Sequence, residues 1–162
     1  MKKFAFLLVL VLIVMLMVAC GAASEAGTGS SEPQIKVMEP WSRPSPAMAG
    51  NGVVYMTLMN EGGADDTLTS VETDAAEVAE LHETKMENDV MKMSPVDKVE
   101  IPAGGSAALE PGGLHVMLVN LQQELVAGEK IKLTLNFEKS EPITVEAEIR
   151  DMGAGMDNMG NN

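Results

Sequence analysis

Alternation of apolar and polar residues with a period of two constrains the fold of this chain more than any other sequence feature. The clearest example runs from Ile131 to Phe137, and the segment from Ile143 to Ile149 repeats it. Successive side chains of a β-strand point to opposite faces, so this alternation predicts strands with one buried face. Long apolar stripes at helical spacing are absent from the sequence. We therefore predict an all-β fold.

Further short strands are predicted between turns that contain glycine and proline. Val53–Met59 is apolar enough for a central strand, and Leu114–Leu121 is another candidate. The segments Val78–Thr84 and Val90–Met93 flank a predicted turn at Glu87-Asn88-Asp89, and the pair is predicted to form a hairpin. Many short strands with such turns are typical of antiparallel β-sandwiches and barrels. We expect a single domain of this kind over residues 34–150.

The N-terminus has the layout of an export signal. Lys2 and Lys3 precede an apolar run that ends at Cys20, and the run is shorter than the ~20 residues of a spanning helix. The Met17-Val18-Ala19-Cys20 junction resembles a lipobox, although that motif usually has Leu where Met17 stands. We predict a lipoprotein signal peptide at 1–19, lipidation of Cys20 and a flexible spacer at 20–33. An uncleaved N-terminal anchor is the alternative.

Charge and cysteine content limit the classes of function that the chain can have. The net charge of −13 disfavours nucleic acid as a partner and favours cations or basic protein surfaces. Anionic lipid would repel this chain, so membrane contact is expected through the lipid anchor alone. Cys20 is the only cysteine, which leaves the predicted domain without a disulfide or a thiolate ligand. Blue-copper electron transfer requires such a thiolate and is excluded.

Two histidines and two methionines form the candidate metal site. Ten residues separate His82 from Met93, a further twenty-one precede His115, and Met117 follows two positions on. His115 and Met117 share one face of their predicted strand, while His82 and Met93 come from the two arms of the predicted hairpin. Strands that converge at one end could therefore bring all four side chains together.

The chemistry of these four side chains points to Cu(I). Thioethers are soft ligands that select Cu(I), and imidazole also suits copper, whereas Mg²⁺ and Ca²⁺ prefer oxygen and zinc seldom takes Met. Other methionines (Met38, Met48, Met56 and Met59) are expected to serve in packing, whereas Met86 and Met91 flank the site and are ambiguous.

An enzyme is not predicted. The sequence offers no Cys nucleophile in the domain, and both histidines already belong to the candidate metal site, so no Ser–His–Asp arrangement can be built. The adjacent carboxylates Asp65 and Asp66 are expected to be turn residues rather than a catalytic pair.

The spacing His, ten residues, Met, twenty-one residues, His-x-Met resembles that of the PCu(A)C family of periplasmic or surface copper chaperones. The similarity extends from about Ile35 to Ile149 and includes Trp41-Ser42-Arg43-Pro44, Val54-Tyr55-Met56-Thr57-Leu58-Met59-Asn60, and Pro111-Gly112-Gly113-Leu114-His115-Val116-Met117-Leu118. A second Met often follows the first His in that family, and here Glu83 stands there.

This resemblance implies a cupredoxin-like β-sandwich that delivers Cu(I) to the copper centres of respiratory oxidases. The expected partners are an apo cytochrome oxidase copper domain or a second copper chaperone. The protein would be a cell-membrane lipoprotein facing the periplasm or the cell exterior. A copper-buffering or resistance protein without a specific client is the alternative, because both would use the same site.

The C-terminal segment 151–162 is rich in Gly, Asn and Met and is predicted to be disordered. Met152, Met156 and Met159 lie within eight residues and could form a weak secondary Cu(I) site. A tail without a copper role is the competing interpretation.

Overall fold

A computed structural model describes residues 31–87 and 89–151. The predicted signal peptide, Cys20, most of the predicted spacer, and the tail methionines Met152, Met156 and Met159 lie outside the described residues. Within the described ranges, no helix is both long and apolar enough to cross a membrane.

Ten strands account for nearly all the regular structure of the described residues. They are β1 Ile35–Ser42, β2 Asn51–Asn60, β3 Asp66–Glu72, β4 Ala76–Glu87, β5 Val90–Pro95, β6 Val99–Ile101, β7 Ser106–Leu109, β8 Leu114–Leu121, β9 Lys130–Phe137 and β10 Ile143–Ile149. A single 3₁₀ turn at Ala47–Ala49 joins β1 to β2. The all-β prediction is confirmed, including the hairpin of β4 and β5.

The strands are hydrogen-bonded in the order β5-β4-β8-β7-β2-β1-β10-β9-β3-β6, and β8 also pairs with β2. Most pairs are antiparallel, but β1 runs parallel to β10 and β7 runs parallel to β8. β3 and β4 share no ladder yet contact each other. The sheet therefore folds over on itself around one core, as expected for a single β-sandwich domain.

The core is aliphatic and follows the alternation seen in the sequence. Ile131, Leu133 and Leu135 of β9 are buried, and they pack with buried residues of β2 and β8 that include Leu58 and Leu118. Each such side chain contributes roughly 1.5–3 kcal/mol by leaving water. Burial of these alternating side chains explains why a domain without a disulfide needs no covalent crosslink.

Methionine packing was predicted too broadly. Met56 is buried in the core, as expected, whereas Met48 is fully exposed in the 3₁₀ turn and Met59 is also exposed. The prediction for these two residues is wrong, because Met48 lies in a turn outside the ladders and Met59 occupies the outer face of β2.

Asp66 is not the turn residue that the sequence suggested. It begins β3, it is buried, and its carboxylate accepts hydrogen bonds from the backbone N–H groups of Thr67, Lys139 and Ser140 at 2.8–3.0 Å. Burial alone would raise the pKa of Asp66, but these backbone hydrogen bonds outweigh that effect and hold the pKa below its ordinary value of 3.8. Ionised Asp66 therefore ties β3 to the loop between β9 and β10.

Candidate metal centre

The candidate site lies where the β4–β5 hairpin joins β8. The antiparallel register of β4 and β8 sets His82 directly opposite His115, and the centroids of the two imidazole rings are 5.9 Å apart. Directly opposed residues of an antiparallel pair project from the same face of the sheet. The two histidines of the chain are therefore cross-strand neighbours.

The same register places both methionines on the face that carries the histidines. Met117 lies opposite Glu80, two positions before His82, and Met93 lies opposite Thr84, two positions after His82. Because alternate residues of a strand share a face, His82, Met93, His115 and Met117 all project from one side. The structure places all four predicted site residues on one face of β8, β4 and β5, while their role as ligands stays a prediction.

The opposite face of β8 belongs to the core, as expected. Val116 and Leu118 are fully buried there, and Leu114 is half-buried. Alternation within this one strand thus separates core packing from the candidate site.

His115 is held in one tautomer by the turn that precedes its strand. Its Nδ1 lies 3.0 Å from the carbonyl oxygen of Gly113, so this nitrogen carries the proton and donates it to that oxygen. Nε2 is buried and has no hydrogen-bond partner, and only 3% of the residue is exposed. The lone pair of Nε2 is therefore available to a metal ion.

His82 is held in the complementary way by a carboxylate. Its Nε2 lies 2.9 Å from Oε2 of Glu80 and donates a hydrogen bond to it, whereas Nδ1 is buried without a partner. Glu80 is two residues before His82, so both side chains project from the same face of β4. A metal-bound histidine is usually supported by a carboxylate or carbonyl that accepts a hydrogen bond from the ring nitrogen that does not bind the metal.

Sequence reasoning missed both supporting groups. Position alone could have suggested Glu80, because a residue two before a histidine in a strand shares its face. The Gly113 carbonyl had no such signal, because its direction depends on how the turn before β8 folds.

The unpartnered nitrogens fit a metal site. A buried nitrogen without a hydrogen bond costs about 1–3 kcal/mol, and here two such atoms belong to neighbouring rings. No group of three or more His, Cys, Asp or Glu residues suited to a metal occurs within residues 31–87 and 89–151. A four-ligand centre in this region thus depends on the sulfurs of Met93 and Met117, which favours a soft ion.

Accessibility of the site rises from β8 towards the hairpin. His115 is buried, the His82 side chain is 14% exposed, and Met93 is 50% exposed. On the buried side, the Tyr55 ring lies 6.3 Å from that of His115 and 4.7 Å from that of Trp41. Tyr55 and Trp41 thus lie on the buried side of the site, and solvent reaches the site from the side of the β4–β5 hairpin.

Residues 35–149 match the family described as "Putative lipoprotein LpqE-like", and the chain belongs to this family. A relative in Leifsonia xyli subsp. xyli, "Putative lipoprotein Lxx21020", is 30% identical over 139 residues, which span 84% of this chain and 81% of the relative. "Uncharacterized protein RP573" of Rickettsia prowazekii is 27% identical over 123 residues, which span 74% and 68% of the two chains.

Solved PCuAC domains share the fold. The copper-bound PCuAC domain of PmoF2 is 25% identical, with a TM-score of 0.62, over 72% of this chain and 92% of that domain. The Cu(I) form of DR1885 from Deinococcus radiodurans is 28% identical, with a TM-score of 0.54, over 81% of this chain and 87% of that chain. The PCu(A)C resemblance and the cupredoxin-like fold expected from the sequence are confirmed.

Proposed function

We propose that this protein is an exported, membrane-tethered Cu(I) metallochaperone in which His82, Met93, His115 and Met117 hold the ion. One observation carries the proposal: two opposed histidines each have one nitrogen held by an acceptor and the other buried without a partner. Two thioethers on the same face complete a neutral, soft ligand set. Copper is the cargo of this site.

Delivery would proceed by ligand exchange on the exposed side of the site. Met93 is half exposed and sits on a strand that pairs only with β4 in the described part of the chain, so an incoming thiolate or imidazole displaces this sulfur first. His82 follows, and His115 leaves last because it is the most buried of the three. The negative surface of the chain favours a client with a basic face around its copper site.

Relatives support the cargo and the tether. Two solved structures of similar fold are described as copper-bound and as a CuI form, and the family and one relative carry the name lipoprotein. We propose that lipidated Cys20 anchors the domain to the cell membrane, facing the periplasm or the cell exterior. The proposed client is an apo cytochrome oxidase copper domain or a second copper chaperone.

The test of the cargo is an anaerobic titration of the protein with Cu(I) against a chromogenic Cu(I) chelator. One tightly bound ion is expected, and X-ray absorption should show both nitrogen and sulfur in its first shell. Met59→Leu removes an exposed thioether from β2 and serves as the matched control with unchanged binding. A first shell of nitrogen and oxygen alone would contradict the ligand set.

Transfer distinguishes a chaperone from the alternative, a copper buffer or resistance protein. The Cu(I)-loaded protein is mixed with an apo oxidase copper domain, and the metal content of each is measured after separation. A chaperone loads the client faster than the same amount of free chelated Cu(I) does. A buffer would slow the loading instead.

A further inference from the structure

The end of the β4–β5 hairpin carries two more methionines on the site face. Met86 lies directly opposite Met91, and the next same-face pair along the hairpin is Thr84 with Met93. The register thus continues the row of site residues towards the turn with Met86, Met91 and Met93. None of these three side chains is needed by the core, since all are at least half exposed.

The distances in a β-ladder allow the three sulfurs to meet. Directly opposed residues have Cβ atoms about 5 Å apart, and diagonal neighbours about 7–8 Å. Methionine has three rotatable side-chain bonds, so sulfurs at these positions can converge on a single ion. Because β4 pairs with β8 only as far as Glu83, this end of the hairpin projects beyond the sheet.

The two faces of the projecting hairpin differ in chemistry. The opposite face carries ion pairs, Lys85 with Glu83 at 2.7 Å and Lys92 with Glu87 at 3.1 Å. Both lysines are thus neutralised by neighbours on the far face, and the methionine face presents three thioethers and the Thr84 side chain but no charged group. Exposed apolar side chains gathered on one face of a projecting hairpin call for a binding role rather than a packing role.

We propose that Met86, Met91 and Met93 form a second, weaker Cu(I) site through which copper enters the principal site. This inference rests on the proposed function, because it supplies the path to that site. Three neutral thioethers suit Cu(I) and provide no hard ligand for Mg²⁺ or Ca²⁺.

Met93 belongs to both sites and makes the transfer a simple exchange. As the ion moves inward, its bonds to the sulfurs of Met86 and Met91 break, and bonds to the lone pairs of His82 and His115 and to the sulfur of Met117 form. The Met93 sulfur stays bound throughout. The copper remains Cu(I), and in the neutral imidazoles, whose single N–H faces Glu80 or Gly113, the nitrogens that accept the ion carry no proton to displace.

The test uses the intact protein with ¹³C-methyl-labelled methionine, titrated anaerobically with Cu(I) and followed by NMR. The His82→Ala/His115→Ala double variant removes the principal site and leaves all methionines in place. In this variant, Cu(I) should still shift the methyl signals of Met86, Met91 and Met93, with only sulfur in the first shell by X-ray absorption. Adding Met86→Leu and Met91→Leu should abolish the shift at Met93, whereas adding Met59→Leu instead should leave it intact.

The outcomes for the two sites are separable. The second site is overturned if Cu(I) shifts no methyl signal of the hairpin in the double-histidine variant, or shifts only the signals of the tail methionines. The principal site stands in either case. If the hairpin methyl signals of the double-histidine variant shift but copper in the wild-type protein has no nitrogen ligand, the second site is supported and the proposed function is overturned. With the histidines intact, Met86→Leu/Met91→Leu should slow copper loading without lowering the final affinity, and unchanged loading would overturn the proposed path.

Discussion

Replacing His115 with alanine tests the copper role of the most deeply buried candidate ligand. The substitution removes the hydrogen bond from Nδ1 to the Gly113 carbonyl, worth about 1 kcal/mol. That carbonyl keeps a partner, because it also accepts the Thr84 N–H at 3.0 Å. No buried acceptor is therefore left unsatisfied by the change.

Two further contributions to the stability of the apo protein oppose each other. Loss of the buried ring leaves a cavity whose cost is bounded by the roughly 3–5 kcal/mol of a buried Phe→Ala substitution. Loss of the unpartnered Nε2 offsets about 1–3 kcal/mol of this. Together with the lost hydrogen bond, we expect the apo protein to lose about 1–3 kcal/mol and to remain folded.

Copper binding should suffer more than folding does. Loss of a supporting partner alone lowers metal affinity about 10–100-fold, so loss of a ligand should exceed about 100-fold. A factor of 100 corresponds to close to 3 kcal/mol. The stabilisation that saturating Cu(I) gives the wild type should fall by at least this amount in the variant.

Urea unfolding of the apo proteins and competition with a Cu(I) chelator measure the two effects separately. Leu114→Ala is the matched control, since this half-buried neighbour faces the other side of β8 and should cost stability without lowering Cu(I) affinity. An unchanged affinity in His115→Ala would refute the ligand role. A loss of stability beyond about 4 kcal/mol would show that core packing dominates at this position.

Three other predictions concern the anchor, the tail and Asp66. Cys20→Ser should release the protein from the membrane or leave an unprocessed precursor, as judged by fractionation and mass; full retention at the mature size would contradict lipidation. Deleting everything after Arg150 should lower the number of weakly bound Cu(I) ions if the tail methionines bind copper, and an unchanged titration and loading rate would exclude that role. Asp66, with its lowered pKa, should stabilise the fold above pH 3.8 and lose this effect as the pH falls through its folded-state pKa. The Asp66→Asn variant should therefore be less stable than the wild type at pH 7 and should lose less stability on acidification. If the urea unfolding midpoints of the two proteins fall in parallel from pH 7 to pH 3, this prediction is contradicted.

Local alternation in the sequence was sufficient to predict β8, β9 and β10 and the hairpin of β4 and β5. In β8, β9 and β10 one face is buried, so the hydrophobic pattern corresponds to the structure directly. All of β5 is exposed, and the hairpin was indicated by the turn residues Glu87-Asn88-Asp89. β3, β6 and β7 were not predicted. β6 and β7 are only three and four residues long, and β7 joins the sheet mainly through long-range pairing with β2.

The candidate site was predicted as a set of residues but not as an arrangement. Spacing indicated His82 and His115, yet only the register of β4 and β8 shows that they oppose each other. The burial of Asp66 also depends on a distant loop, whose N–H groups lie more than seventy positions away in the chain. Such partners leave no local pattern in the sequence.

Because β4 pairs with β5, the ten-residue interval between His82 and Met93 determines which face of the hairpin Met93 occupies and which residue of β4 it opposes. If one residue were inserted between Glu87 and Val90 and the register of β5 against β4 shifted by one residue, Met93 would move to the opposite face of the hairpin. Successive side chains of a strand point to opposite faces, so a one-residue shift exchanges the faces. Two inserted residues would restore the face but move Met93 along the ladder relative to Thr84.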